Sequence, residues 1–458
     1  MTQDNSTRKE PHSQTTGSDS SPLSRRSALR GVGIGALGVA VPLGASGIAQ
    51  AGGDDKEKNK DEKNDEDRDE AFEQTDILFA EDPLPDVEFG EAVSVDGDTA
   101  LVGAPEEDVE TEDGEATSGG VAYVFNRIDG DWEQQARLTA ATPQEGAFFG
   151  NVVSLSGDTA LIGAPGENVE NGDVLERAGA AYVFTNDDGD WTQQDRLTAA
   201  SPQDSATFGS AVSLSGDTAL IGADSEDIEN GDLGAAYVFT NDDGDWTQQD
   251  RLTAESPQEV IGFGGTVSVD TEVALIGADG ETVETEDGEL DEAGTAYVFT
   301  NDDGDWTQQD RLTAASPQDS DAFGSAVSVS GDAALIGAPF DDVENDEFFR
   351  NTGAAYVFTD DDGDWTQQDR LTGEPQPFSQ FGEAVSVNGE TALVGAPFED
   401  GENGEGLEDS GAAYLFRNDG ADWNLQQELT PAAVEGFFDP PEFGTSVSFD
   451  EATALVGA

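Results

Sequence analysis

The chain of 458 residues has no cysteine, so it has no thiol for a disulfide framework, for nucleophilic catalysis or for lipidation. Its one histidine, His12, lies ahead of everything that reads as folded. Ser-His-Asp and Cys-His catalysis and histidine-based zinc sites are thereby excluded from the folded region. Lysine stops early: the five residues are Lys9, Lys56, Lys58, Lys60 and Lys63. Helical 3.6-residue periodicity is missing from every window of useful length. The only extended apolar stretch is a soft, Gly/Ala-rich one, Gly31 to Ala49, interrupted by Pro42.

Acid takes the place of base. Of the 99 acidic residues, 86 lie from residue 73 onward, where nine arginines are the only cations, a net charge of about −77. Self-repulsion on that scale destabilises a compact domain in dilute buffer. It is tolerable at molar salt, where the screening length falls to roughly 3 Å. The composition therefore reads as halophilic. It excludes nucleic acid, whose affinity rests on Lys and Arg contacts to phosphate, and disfavours anionic lipid surfaces.

The first 51 residues read as an export region. Ser24-Arg25-Arg26-Ser27-Ala28-Leu29 is a twin-arginine signature, followed by the soft apolar stretch and by Ala49-Gln50-Ala51, a small-residue cleavage site. Cleavage there and retention as an anchor are both open, and no second apolar span follows. Residues 52–72 form a mixed-charge linker that reads as a flexible tether.

Residues 73–458 are repetitive. Phe-Gly recurs at Phe89, Phe149, Phe208, Phe263, Phe323, Phe381 and Phe443, at intervals of 60, 59, 55, 60, 58 and 62 residues. Each copy reaches Leu-Ile/Val-Gly-Ala about eleven residues later, as in Leu101 to Ala104 and Leu455 to Ala458. A fixed period of this length means one supersecondary unit copied many times. In the third copy, FGSAVSL turns at Ser215-Gly216-Asp217 into TALIGA. An acidic loop leads to AAYVF, which turns at Asn241-Asp242-Asp243-Gly244 into DWTQQDRLTA. Short Val/Ile/Tyr/Phe/Thr runs punctuated by Gly, Asp and Asn are strands joined by hairpins. Repeated four-stranded antiparallel units predict an all-β, seven-bladed β-propeller. One Trp and one Tyr fall in each complete copy (Trp132 to Trp423, Tyr123 to Tyr414), which reads as packing between blades rather than as a sugar platform.

These motifs resemble FG-GAP repeats, as in the propeller of integrin α subunits. The DGDW-x-QQ-x-x-LT variant is similar to the subgroup found in exported bacterial and archaeal proteins. The resemblance runs from about Glu73 to Ala458 and implies a seven-bladed propeller, an extracellular location, and ligand-binding or adhesive roles. Integrin blades often carry a calcium loop, DxDxDG, between the FG and GAP strands. This chain has only Asp96-Gly97-Asp98 or Ser215-Gly216-Asp217 there, so the resemblance does not carry calcium to that position.

The seventh copy stops after its second strand. Gln74 to Ala80 (QTDILFA) matches the repeated QQDRLTA, which predicts an incomplete last blade closed by an N-terminal strand around Leu78. No copy remains to supply its third strand; the blade has three strands, or the chain is a truncated version of a longer one.

The candidate sites lie in the acidic connections between second and third strands. Glu107 to Glu110, Asp227 to Asp232 and Asp342 to Asp346 vary in length, as binding loops on a rigid scaffold do. Asp227, Glu229 and Asp232 are nominated as Ca2+ ligands, hard oxygens beside a glycine; an acidic surface turn is the competing reading. Phe348, Phe349 and Arg350 are a ligand-contact candidate or a loop tucking its own apolar residues beneath it. No carboxylate pair stands out in one copy. The expected protein is a non-catalytic, exported binding or adhesion module with an extracellular protein or glycan as partner. A propeller carbohydrate-active enzyme and a structural surface-layer component are the alternatives.

Overall fold

A computed structural model describes residues 38–42, 76–80, 87–111, 114–228, 233–255, 261–286, 288–344, 348–349, 351–361, 363–373, 376–400, 410–420, 422–431, 442–450 and 453–458. Among these, every regular element is a β-strand. The third copy shows how a blade is made: strands Val212–Ser215, Thr218–Asp227, Leu233–Asp242 and Asp245–Leu252 pair antiparallel in chain order. Asp243 and Gly244 both have positive φ, 55° and 99°, so the last hairpin turns on two left-handed residues. That is the turn whose twist matches antiparallel strands, and Asp-Gly supplies it.

Six blades are built this way, each from one complete copy. A seventh four-stranded sheet is of different construction. Its order is Val447–Asp450, Thr453–Val456, Gly38–Pro42, Asp76–Leu78. The expectation of a seven-bladed propeller, its last blade incomplete and closed by an N-terminal strand, is therefore corrected to six blades and one composite closing sheet. The strand around Leu78 does lie at its outer edge. The expected gap in third position is filled from within the stretch read as part of the export region.

Two short-range features join neighbours around the ring. A serine on each first strand accepts the backbone N–H of the next, as in Leu155 N to Ser94 Oγ at 3.0 Å and Val269 N to Ser213 Oγ at 3.0 Å. The series runs through the closing sheet: Phe449 N donates to Ser386 Oγ at 3.0 Å, and Val95 N to Ser448 Oγ at 3.1 Å. The second feature explains the paired glycines of the repeat. A Cβ on Gly222, in the GAP strand, would stand 1.9 Å from the carbonyl oxygen of Gly264, the glycine of the following Phe-Gly. The equivalent step from Gly457 to Gly90 is 2.1 Å, so a side chain is excluded there too. Each Phe-Gly phenylalanine in the six blades packs against that blade's Tyr and third-strand Phe, as in Phe208–Tyr237 at 5.3 Å and Phe208–Phe239 at 6.0 Å. Trp132, Trp246, Trp306, Trp365 and Trp423 are buried, in keeping with a packing role.

Candidate functional site

The acidic connections begin with a buried acid. Glu107, Glu167, Glu226, Glu281, Asp341 and Glu399 each stand three residues after the Gly-Ala of their blade, and each is 4% exposed or less. A carboxylate taken from water needs hydrogen-bond partners and a countercharge. Both are at hand. The third-strand tyrosine donates its hydroxyl to the acid in all six blades: Tyr123 to Glu107 and Tyr297 to Glu281 at 2.7 Å, with Tyr182, Tyr237, Tyr356 and Tyr414 doing the same. An outer-strand arginine, in register opposite that tyrosine, closes the ion pair in the first five. Arg137 meets Glu107 at 2.7 Å, Arg251 meets Glu226 at 2.7 Å, and Arg311 meets Glu281 at 2.8 Å. Arg196 and Arg370 make the equivalent pairs with Glu167 and Asp341. Burial first, and then the adjoining carboxylate, push the Tyr123 and Tyr237 hydroxyls well above the ordinary phenol range. In blade 6, Glu428 takes the arginine's register position opposite Tyr414. There Glu399 accepts from Tyr414 at 2.6 Å and from Gln376 Nε2 at 2.9 Å.

A glutamine from the preceding connection completes the usual arrangement. Gln144 Nε2 donates to Glu167 at 3.2 Å, and Gln203 Nε2 to Glu226 at 3.0 Å. The acid thus ties the three later strands of its own blade to its neighbour. The sequence reading put Glu107 in an acidic loop and started two others one residue past their buried acids, at Asp227 and Asp342. The signal that separates them was present: a constant offset from Gly-Ala, with Tyr and Arg at constant offsets beyond.

Blade 5 departs from the pattern. Its buried acid is Asp341, one methylene shorter than glutamate, and Gln318 reaches the backbone carbonyl of Asp342 at 3.5 Å instead. A second acid, Asp321, is only 2% exposed; blades 2, 3 and 6 have Ala147, Ala206 and Ser379 at its position. Asp321 accepts the Gln318 backbone N–H at 2.7 Å. Burial, and then the charge of Asp341, push its carboxyl up to about 7. Beside Asp341 lies a cavity of about 480 Å³, lined by Ala315, Ser316, Pro317, Gln318, Asp341, Asp342, Tyr356, Gln367 and Arg370. One copy does, then, carry a distinctive carboxylate pair, contrary to the sequence reading. Glu91, which is exposed, and Glu383, which is half-buried, each follow their Phe-Gly; desolvation raises both carboxyls, and the charges of Glu88, Glu442, Glu106 and Glu383 add to the first and that of Asp279 to the second.

The nominated residues fare unevenly. Asp227 is exposed at the end of its strand, paired in register with Leu233. Glu229 and Asp232 lie outside the described residues. Among the described residues, no group of three or more acidic side chains is placed to hold a metal ion. Phe348 and Phe349 form a strand paired with Val343–Glu344, and Arg350 lies outside the described residues. The acidic connections are short hairpins rather than open loops: Val109–Thr111 pairs with Gly114–Ala116, and Val283–Thr285 with Gly288–Leu290. Asp108 is used within its connection, accepting the Ser118 N–H at 2.9 Å. No helix among the described residues is long and apolar enough to cross a membrane.

Six matches to the FG-GAP repeat family span residues 72–125, 132–184, 191–239, 246–299, 306–358 and 365–416. They cover more than half of the chain, which therefore belongs to the FG-GAP repeat family. No curated protein matches it. From the second onward, each family unit begins at an outer-strand Trp and ends in the third strand of the next blade, so it straddles the junction that holds the buried acid.

Proposed function

We propose that the protein is a non-catalytic binding module, exported through the twin-arginine route to the surface of a halophile, where its propeller captures a neutral glycan at the junction of blades 4 and 5. The observation that carries this reading is the 480 Å³ cavity beside Asp341, Arg370 and Gln318 in the blade that breaks the repeat. Its volume falls among small-molecule sites, which are concave and hold a few convergent polar groups. Carboxylate, guanidinium and amide groups around one tyrosine suit vicinal hydroxyls, and the acidic field disfavours anionic sugars. The closing sheet serves in this reading as a seventh blade. Capture of neutral oligosaccharides on a glycan array in molar salt tests the site; absence of any neutral glycan above background would remove it. Export is tested separately by Arg25→Lys with Arg26→Lys, which should hold the protein in the cytoplasm.

Glu91 and Glu383 favour a second reading. Two carboxyls with raised proton affinity, each next to a Phe-Gly, are the kind of group a glycoside hydrolase needs. Release of reducing sugar from a neutral glycan, abolished by Glu91→Gln, would establish that activity; no release would leave the binding reading alone.

A further inference from the structure

We infer that the third position of the closing sheet is an exchangeable slot for an extended peptide with aromatic residues at alternate positions, and that Gly38–Pro42 occupies it in the uncleaved chain. In blade 6 the second-strand residues Ala392 and Val394 stand opposite Phe416 and Tyr414. In blade 3, Ala219 and Ile221 stand opposite Phe239 and Tyr237. In the closing sheet the same register sets Ala454 and Val456 opposite Val41 and Val39. Those aromatics matter elsewhere. Phe381 packs against Tyr414 at 5.3 Å and Phe416 at 6.0 Å. Phe443 is the matching phenylalanine of the closing sheet and is 1% exposed, in a cluster with Phe449, Ala454 and Val456. Valine thus stands in the closing sheet at the register positions where blades 3 and 6 carry tyrosine and phenylalanine.

The occupant is also held by a shorter ladder. It pairs at four positions with Thr453–Val456 and at three with Asp76–Leu78, where the third strand of blade 6 has six on each side. Pro42 has no backbone N–H to give. In blade 3 a two-residue turn joins the third strand to the fourth; here residues 43–75 intervene. A long connection costs more to close than a two-residue turn. A peptide added between two strands gains main-chain hydrogen bonds on both edges, and pockets for alternate side chains give selectivity. The fitting partner is a segment of another polypeptide with the small–aromatic–aliphatic–aromatic pattern of Ala236-Tyr237-Val238-Phe239.

The test uses the full chain carrying Ala40→Cys and Asp76→Cys, residues opposite each other in the ladder. With no native cysteine, only that disulfide can form. A fluorescent peptide of sequence Ala-Ala-Tyr-Val-Phe-Thr-Asn-Asp, matching residues 235–242, is titrated in molar salt and followed by anisotropy. The reduced protein binds it, the oxidised protein does not, and a peptide with both aromatics changed to alanine fails to bind. Val41→Asp, opposite the buried Ala454, frees the slot and tightens apparent binding about tenfold, because apparent affinity scales with the fraction of competent molecules. Equal binding in both redox states, or no binding by the reduced protein and by Val41→Asp alike, would overturn the inference.

Discussion

Blades 3 and 5 are built from nearly the same sequence and differ at the acid. In blade 3, Glu226 reaches Tyr237, Arg251 and Gln203. In blade 5, Asp341 keeps the tyrosine and the arginine but gives up the glutamine, and Asp321 enters beneath it. A cavity lies beside the shortened acid, and the added carboxyl is raised to about 7. A repeated buried ion pair fixes the scaffold, and a single departure from it makes one junction chemically distinct.

The largest expected effect comes from breaking the blade 3 arrangement. Arg251→Met leaves Glu226 buried without its cation and should cost roughly 3 kcal/mol, the lower end for such pairs because the arginine is about one-third exposed. Chemical unfolding in molar salt measures it. Arg251→Met with Glu226→Gln should recover much of the loss; a single mutant within about 0.5 kcal/mol of wild type would mean that the pair does not hold the junction.

Converting blade 5 toward blade 3 is the next step. Asp341→Glu alone adds a methylene next to Asp321 and should destabilise by about 1–2 kcal/mol through crowding and charge. Adding Asp321→Ala should reverse the sign. Additive effects of the two substitutions, read by the same unfolding curves, would show that the residues are not coupled.

The last effect is pH-dependent and accumulates over several pH units. The folded state holds the Asp321 proton more tightly than the unfolded chain, since its carboxyl is raised from 3.8 to about 7. Wild-type stability should therefore fall relative to Asp321→Asn as pH rises from about 4 to about 7, by up to about 1.4 kcal/mol per pH unit, and then level off. A constant difference between the two proteins across that range would contradict the assignment.

Much of the fold was legible because it is local. Asp243-Gly244 specifies its hairpin, alternation specifies the strands, and the Phe-Gly spacing counts the copies. Gln74 to Ala80 resembles the repeated outer strand closely enough to place Leu78 at the edge of the closing sheet. The third strand of that sheet was not legible, because Gly-Val-Ala-Val-Pro shares neither the aromatics nor the turn of its counterparts. It reads instead as part of an apolar leader. The buried acids were hidden for another reason. Among 86 acidic residues, Glu226 differs from Asp227 only in where the chain bends, and that depends on packing against Tyr237 and Arg251, far along the sequence. Asp321 was masked likewise, by the acidic Pro-Gln-Asp-Ser run around it.

The most direct measurement compares wild type with the Asp321→Ala, Asp341→Glu double variant on a neutral-glycan array in molar salt, alongside their melting temperatures. The account predicts a variant at least as stable as wild type that has lost glycan capture, because its fifth junction then carries the glutamate and alanine of the third. A variant that folds as well and binds the same glycans equally would contradict the claim that the departure in blade 5 makes the site.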